Sequence, residues 1–159
     1  MCGIAGYFDR NLAQRDLVLR SNIMSKELEH RGPDSYGEWS DEKLSLSIAH
    51  RRLSILDLTE TGHQPMLSSS GRYVISYNGE IYNHLKLRAK ISQGSNVNFK
   101  GTSDTETILE VIEKFGVEKT LTLLSGMFAI CVIDLKEKLM FLARDRFGEK
   151  PLYLGWVNE

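Results

Sequence analysis

Cysteine is scarce in this chain: Cys2 and Cys131 are the only two among 159 residues. Two cysteines that far apart do not make a disulfide framework, so a cross-linked secreted scaffold is excluded and a reducing, cytoplasmic setting is expected. Charge of one sign is lacking too. The net charge is −1 and no long basic or acidic run occurs, which argues against nucleic acid as a partner, because phosphate binding needs clustered Lys and Arg. No apolar stretch approaches the ~18 residues of a membrane span, and no basic region followed by an apolar run marks a secretory leader. The four histidines, His30, His50, His63 and His84, are scattered without metal-ligand spacing. Neither glycine-rich phosphate-loop pattern is present. Internal repeats and low-complexity segments are missing as well.

What is there suits one soluble domain with a real core: 42% of residues are apolar and 26% charged. GIAGYF reads as a short buried strand. From Asn11 to Glu29, Leu17, Val18, Ile23, Met24 and Leu28 fall near helical spacing. HRGPDS is a turn, since Pro33 pushes Gly32 out of the helical region. KLSLSIAHRRLSI alternates Leu44, Leu46 and Ile48 with Ser45, Ser47 and Ala49, a strand with one buried face. DLTETGHQPMLSSSGR is breaker-rich and reads as a loop. RYVISY is a strand and HLKLRAKI a short helix. In GTSDTETILEVIEKFG, Ser103 and Glu106 form a capping box before the apolar face of Ile108, Leu109, Ile112 and Phe115, and Gly116 supplies the stop. A second helical piece ends at Leu124. GMFAICVIDL and KLMFLARD are strands joined by the turn KEK, Cys131 is a buried thiol in the first of them, and PLYLGW is a final strand. The order implies an α+β protein with few parallel crossovers. The closing VNE begins like a hairpin turn with no return strand, so a C-terminally truncated domain is expected.

Four stretches could carry chemistry, and each has a plainer reading. Cys2 stands directly behind the start methionine; it is either incidental or, once Met1 is removed, a nucleophile whose own α-amine is its base. That amine has a reference pKa of ~7.7–8.0, so it can take the thiol proton and return it to a leaving group. YNGEIYN is either a hairpin turn or an oxyanion hole in which the Asn78 amide and the Gly79 N–H lie side by side. Asp104 either completes a helix start or faces a cleft to hold a substrate ammonium. Arg52 either faces water on a strand or clamps a carboxylate with two hydrogen bonds.

MCGIAGYF, RGPDS, HRRLSILDL, GHQPM, YNGEIYN, TSDTE, LSGMFAICVID and ARDRFGEKPLY follow one another in this order. Together they resemble the N-terminal glutaminase domain of glutamine-hydrolysing asparagine synthetases, within the class II glutamine amidotransferase group of N-terminal-nucleophile hydrolases. The resemblance runs from Cys2 to about Trp156. It implies an α+β, four-layer αββα sandwich of two antiparallel sheets. It implies Cys2 as nucleophile, Asn78 and Gly79 as oxyanion hole, and Arg52 on the glutamine carboxylate. Leu53, Ser54, Ile55 and Leu56 would line the site beside Arg52, and Glu80 and Asp104 would hold the α-amino end. Arg31 and Asp34 would support the site from the RGPD turn.

The same resemblance implies L-glutamine as substrate, with a synthetase domain, in cis or in trans, as acceptor of the ammonia. No metal or cofactor is expected in this domain; ATP and Mg belong to the synthetase domain, whose SGG-type loop this sequence lacks. The family's glutaminase domain normally continues beyond the PLY strand, so residues 1–159 are expected to form an incomplete domain whose exposed apolar surface favours a homodimer. Two other readings share these residues: the ammonia-donor domain of an amidotransferase acting on a sugar or secondary metabolite, and a non-catalytic module that binds glutamine or docks a partner.

Overall fold

A computed structural model describes residues 1–93 and 97–157. The chain runs β1 (Gly3–Phe8), α1 (Gln14–Lys26), β2 (Ser35–Asp41), β3 (Leu46–Arg52), β4 (Met66–Leu67), β5 (Tyr73–Ile81), α2 (His84–Ser92), α3 (Asp104–Phe115), α4 (Val117–Leu123), β6 (Gly126–Asp134) and β7 (Leu139–Arg144). Single 3-10 turns lie at Glu29–Arg31 and Glu60–Gly62. Two antiparallel sheets form, one ordered β1-β3-β2 and the other β4-β5-β6-β7.

The layers follow from strand alternation. Tyr73, Ile75, Tyr77 and Ile81 on β5, with Phe128, Ile130 and Val132 on β6, pack under α2 and α3 against Leu87, Ile91, Ile108 and Ile112. The opposite face of the same strands presents Val74, Cys131 and Ile133, which meet Leu46 and Ile48 of β3 between the sheets. Helix α1 covers the outer side of β1 and β3. The result is the four-layer αββα sandwich.

Several expectations change. The strand through KLSLSIAHRR is buried on both faces, because β3 is central: Leu46, Ile48 and His50 face the second sheet while Ser47 and Ala49 lie under α1. Helix α1 is shorter than 11–29. Leu17, Ser21 and Ser25 are its buried residues, whereas Ile23 and Met24 are 54% and 44% exposed. The helix sits close to the sheet through small residues, with Ser21 Oγ 2.7 Å from Ser47 Oγ. Residues 35–41, which follow the RGPD turn, form an edge strand that the turn signal masks. Within the stretch read as a loop, Met66 and Leu67 pair with β5. Asn78-Gly79 is no hairpin turn: β5 continues straight through it, paired with Ala129 and Phe128.

Residues 151–157 form no strand. The chain leaves the sheet after Arg144 through a turn built on Asp145, whose carboxylate accepts from the N–H groups of Phe128, Phe147, Glu149 and Lys150. Without a neighbouring strand, the alternation of PLYLGW has nothing to pair with, and Tyr153 and Trp156 are 91% and 77% exposed. The hairpin turn expected at the chain's end falls on Asn158 and Glu159, outside the described residues.

Candidate active site

One cavity opens where the ends of β1, β3 and β5 meet the N-terminus of α3. Among its lining residues are Cys2, Arg52, Asn78, Gly79, Glu80 and Asp104. Leu53, Ile55 and Leu56 also line it. Ser54, Arg31 and Asp34 do not, yet all three brace it. Asp34 Oδ2 accepts from the Ser54 N–H at 2.7 Å, the Asp34 N–H donates to Arg52 O at 3.0 Å, and Arg31 Nε donates to Cys2 O at 3.3 Å. The RGPD turn thus fixes both the backbone of Cys2 and the segment after Arg52.

Cys2 precedes β1 and is half-buried. Its Sγ accepts from the Leu53 N–H at 3.4 Å and lies 3.7 Å from Leu53 O. Burial raises its thiol pKa most. The Leu53 N–H, the chain's amino terminus and Arg52 pull it down, and Asp104 pushes it up. Nucleophilicity here therefore depends on a proton acceptor close by.

Arg52 ends β3 with its guanidinium buried. Nη1 donates to Thr59 O at 3.1 Å and Nη2 donates to Asp57 O. Among the described residues it forms no ion pair. A buried cation held only by carbonyls is poised for an anion from outside. A Cβ at Gly62 would collide with Nη2, so a side chain there would push the guanidinium off its two carbonyls.

The edge of β5 has a use that strand pairing does not consume. β4 pairs with β5 at Val74 and Ile75 and goes no further. Beyond it, the Tyr77 N–H donates to Gln64 Oε1 at 2.7 Å and the Ile81 N–H to Asp104 Oδ2 at 2.9 Å. Successive peptide N–H groups in a strand point to opposite edges. The Gly79 N–H therefore leaves on the same edge, between those two side chains and toward the cavity. A Cβ at Gly79 would collide with Met127 O. The Asn78 side chain is buried, lines the same cavity, and makes no hydrogen bond among the described residues.

Asp104 is the first residue of α3. Oδ2 accepts from Tyr77 Oη at 2.6 Å as well as from Ile81 N. Burial raises the Tyr77 phenol's pKa, and the Asp104 carboxylate raises it further, so the phenol stays a donor. Ser103 caps the helix by accepting from the Glu106 N–H at 3.2 Å. Glu106 does not close the capping box. Its carboxylate turns back to the preceding loop and accepts from the Lys100 and Gly101 N–H groups at 2.6 and 3.0 Å.

Sequence reading missed Gln64, Tyr77, Met127 and Lys150 among the lining residues. Lys150 is buried, and its Nζ donates to Met1 Sδ at 2.9 Å. Gln64 stands in GHQPM, one of the motifs that carry the resemblance, but sequence reading assigns it no role in the site.

Comparison with known proteins bears first on the class of fold. The glutamine phosphoribosylpyrophosphate amidotransferase of B. subtilis shares the architecture with a TM-score of 0.67 at 18% identity, over 91% of this chain and 37% of that one. The family model for the glutamine amidotransferase domain matches residues 1–159, and the chain belongs to that family. Its relatives include the glutamine-hydrolysing asparagine synthetase of Zea mays, 39% identical over 98% of this chain and 25% of that protein. Asparagine synthetase 1 of Bacillus subtilis is 38% identical over 100% of this chain and 25% of that protein. Asparagine synthetase B of Escherichia coli is 38% identical over 98% and 27%. The chain spans about a quarter of the length of these relatives.

Proposed function

We propose that residues 1–159 form a glutaminase domain that hydrolyses the side-chain amide of L-glutamine through a thioester on Cys2. The observation that carries this reading is the convergence of the Cys2 thiol, the Arg52 cation, the Asn78–Gly79 donors and the Asp104 carboxylate on one cavity. Glutamine is a zwitterion with a neutral amide at its far end. Arg52 takes the α-carboxylate, and Asp104 with Glu80 takes the α-ammonium. The amide carbon then faces Cys2 Sγ.

Removal of Met1 frees the Cys2 α-amine. The thiol passes its proton to that amine as Sγ bonds to the amide carbon. The oxygen of the tetrahedral intermediate gathers negative charge and accepts from Asn78 and the Gly79 N–H. The C–N bond breaks, the α-ammonium returns the proton to the leaving nitrogen, and ammonia departs. Water, deprotonated by the same amine, cleaves the thioester to glutamate and restores the thiol. No metal or cofactor enters these steps. The ammonia goes to an ATP-dependent amidation of the asparagine synthetase type, with aspartate as the acceptor the relatives' names suggest and ATP and Mg bound in the partner domain. The proposed setting is the cytoplasm, where the two cysteines stay reduced.

The test uses the chain with Met1 removed. Glutamate release should be lost in Cys2→Ala. Intact-mass analysis with 6-diazo-5-oxo-L-norleucine, a zwitterionic glutamine-like electrophile, should show one adduct, mapped to Cys2. A folded, processed chain that binds glutamine but forms neither glutamate nor adduct would sink the reaction and leave a binding module.

A further inference from the structure

We infer that Asp57 is a positioning residue that sets the spacing between the two charged poles of the glutamine site. Its backbone and its side chain face different partners. The Asp57 carbonyl, with that of Thr59, holds the Arg52 guanidinium. The carboxylate turns inward. Oδ1 accepts from the Thr59 N–H at 2.9 Å and from Thr59 Oγ1 at 2.6 Å, while Oδ2 accepts from Thr61 Oγ1 and the Thr102 N–H, each at 2.9 Å.

The bond to Thr102 crosses between segments. Thr102 lies two residues before Asp104, in the loop that Ser103 and Glu106 join to the start of α3. One buried carboxylate therefore ties the loop that carries the Arg52 acceptors to the loop that places Asp104. The fit is tight, since a Cβ on Gly101 would collide first with Thr61 Oγ1, itself a donor to the carboxylate, and would lie 2.6 Å from Asp57 Oδ2. Burial alone would raise the carboxyl's pKa; the hydrogen bonds from the Thr59 hydroxyl, the Thr102 and Thr59 N–H groups and the Thr61 hydroxyl outweigh it and hold the carboxyl below its ordinary range. Every donor it meets needs an acceptor, so an amide in its place faces at least one of them with the wrong group.

A zwitterion held at both ends is sensitive to the distance between those ends, and its γ-amide reaches Cys2 only if both are seated. The consequence is selective. Loosening the tie weakens recognition of the zwitterion more than it alters the thiol, on which burial and the Leu53 N–H act more strongly than Arg52 or Asp104. The inference rests on the proposed binding mode of glutamine but not on its turnover, and the test separates the two.

In a Cys2→Ala background, which cannot turn over, Asp57→Asn should weaken the calorimetric Kd for L-glutamine by about tenfold or more, the scale of one lost hydrogen bond to a charged group. With Cys2 present, Cys2 alkylation by iodoacetamide, which binds neither pole, should keep its rate when each protein is compared at the same offset from its own labelling midpoint. Labelling by 6-diazo-5-oxo-L-norleucine should slow in step with Kd, and KM should rise more than kcat falls. Gly101→Ala pushes from the other loop on the Thr61 hydroxyl and on the carboxylate it serves, and should give the same split, which keeps the test open if Asp57→Asn does not fold. A Kd within twofold of the parent in a folded variant would overturn the inference, and so would equal slowing of both electrophiles. Absence of glutamine binding to Cys2→Ala itself would overturn it together with the proposed function. Binding without turnover in the intact chain would remove the reaction alone.

Discussion

At the scale of single residues, the charges around Cys2 work against each other. Arg52 favours the thiolate and Asp104 disfavours it, yet both line the cavity that holds the thiol. Replacing Asp104 by Asn removes the carboxylate's repulsion toward a second negative charge on Sγ. The pH midpoint of iodoacetamide labelling at Cys2 should therefore move down, even as KM for glutamine rises through loss of the ammonium pole. Arg52→Met should move the same midpoint up. A midpoint that stays put, or rises, in Asp104→Asn would show that the carboxylate does not act on the thiol. Which residues were readable from sequence follows from how they act. Cys2, Arg52, Asn78 and Asp104 sit in named motifs whose order carries the resemblance. Gln64 and Tyr77 lie in two of those motifs as well, GHQPM and YNGEIYN, but they act by joining distant elements: the side-chain oxygen of Gln64 occupies the Tyr77 N–H, and the Tyr77 hydroxyl occupies one oxygen of Asp104. No local pattern announces a contact of that kind.

Among the elements, α3 does two tasks, and its first turn shows how local signals become a site. Ser103 satisfies the Glu106 N–H, so the helix starts at Asp104 and delivers that side chain to the cavity edge. Ser103→Ala should lower stability by about 1 kcal/mol, the usual worth of such a cap. In thermal melts this is about 2–4 °C for a domain of this size. The same change should raise KM for glutamine, because fraying begins at Asp104. A variant that melts lower with an unchanged KM would mean that the Asp104 position is held by Tyr77 and Ile81 alone. The cap was legible because it is a four-residue signal with a single physical cause. The packing face of α1 was not. Its apolar residues suggested a greasy stripe, but of these only Leu17 is buried; the rest of the packing face is Ser21 and Ser25, and small polar residues leave no hydrophobic period to read. β2 was hidden for a related reason, as an edge strand with one buried glycine and otherwise half-exposed or exposed residues.

In the whole molecule, the two sheets enclose a polar group that sequence alternation would place in an apolar layer. His50 is fully buried on β3, with Nδ1 2.9 Å from Ser76 Oγ of the opposing sheet and Nε2 without a partner among the described residues. Burial lowers its pKa to about 3, helped by the nearby Arg52 and His63 charges. Unfolded, the same ring titrates near ~6.5. Between those values the unfolded chain binds a proton that the folded chain refuses, so stability rises with pH. The contribution is complete above the unfolded pKa and drains away as pH falls toward the folded one, at up to about 1.4 kcal/mol per pH unit. Melting followed from pH 7.5 down to pH 4 should show this decline in the parent chain. His50→Gln, which keeps a group able to meet Ser76 but has no proton to gain, should start less stable and lose less over the same interval. Parallel curves for the two proteins over this interval would clear His50 of the acid sensitivity, because the carboxylates Asp57, Asp134 and Asp145, whose folded-state pKa values are depressed, lose their contributions only as pH falls through and below their unfolded value of ~3.9. Separation of the curves above about pH 4 thus reports the sheet-to-sheet layer, whereas a common loss below it reports the carboxylates.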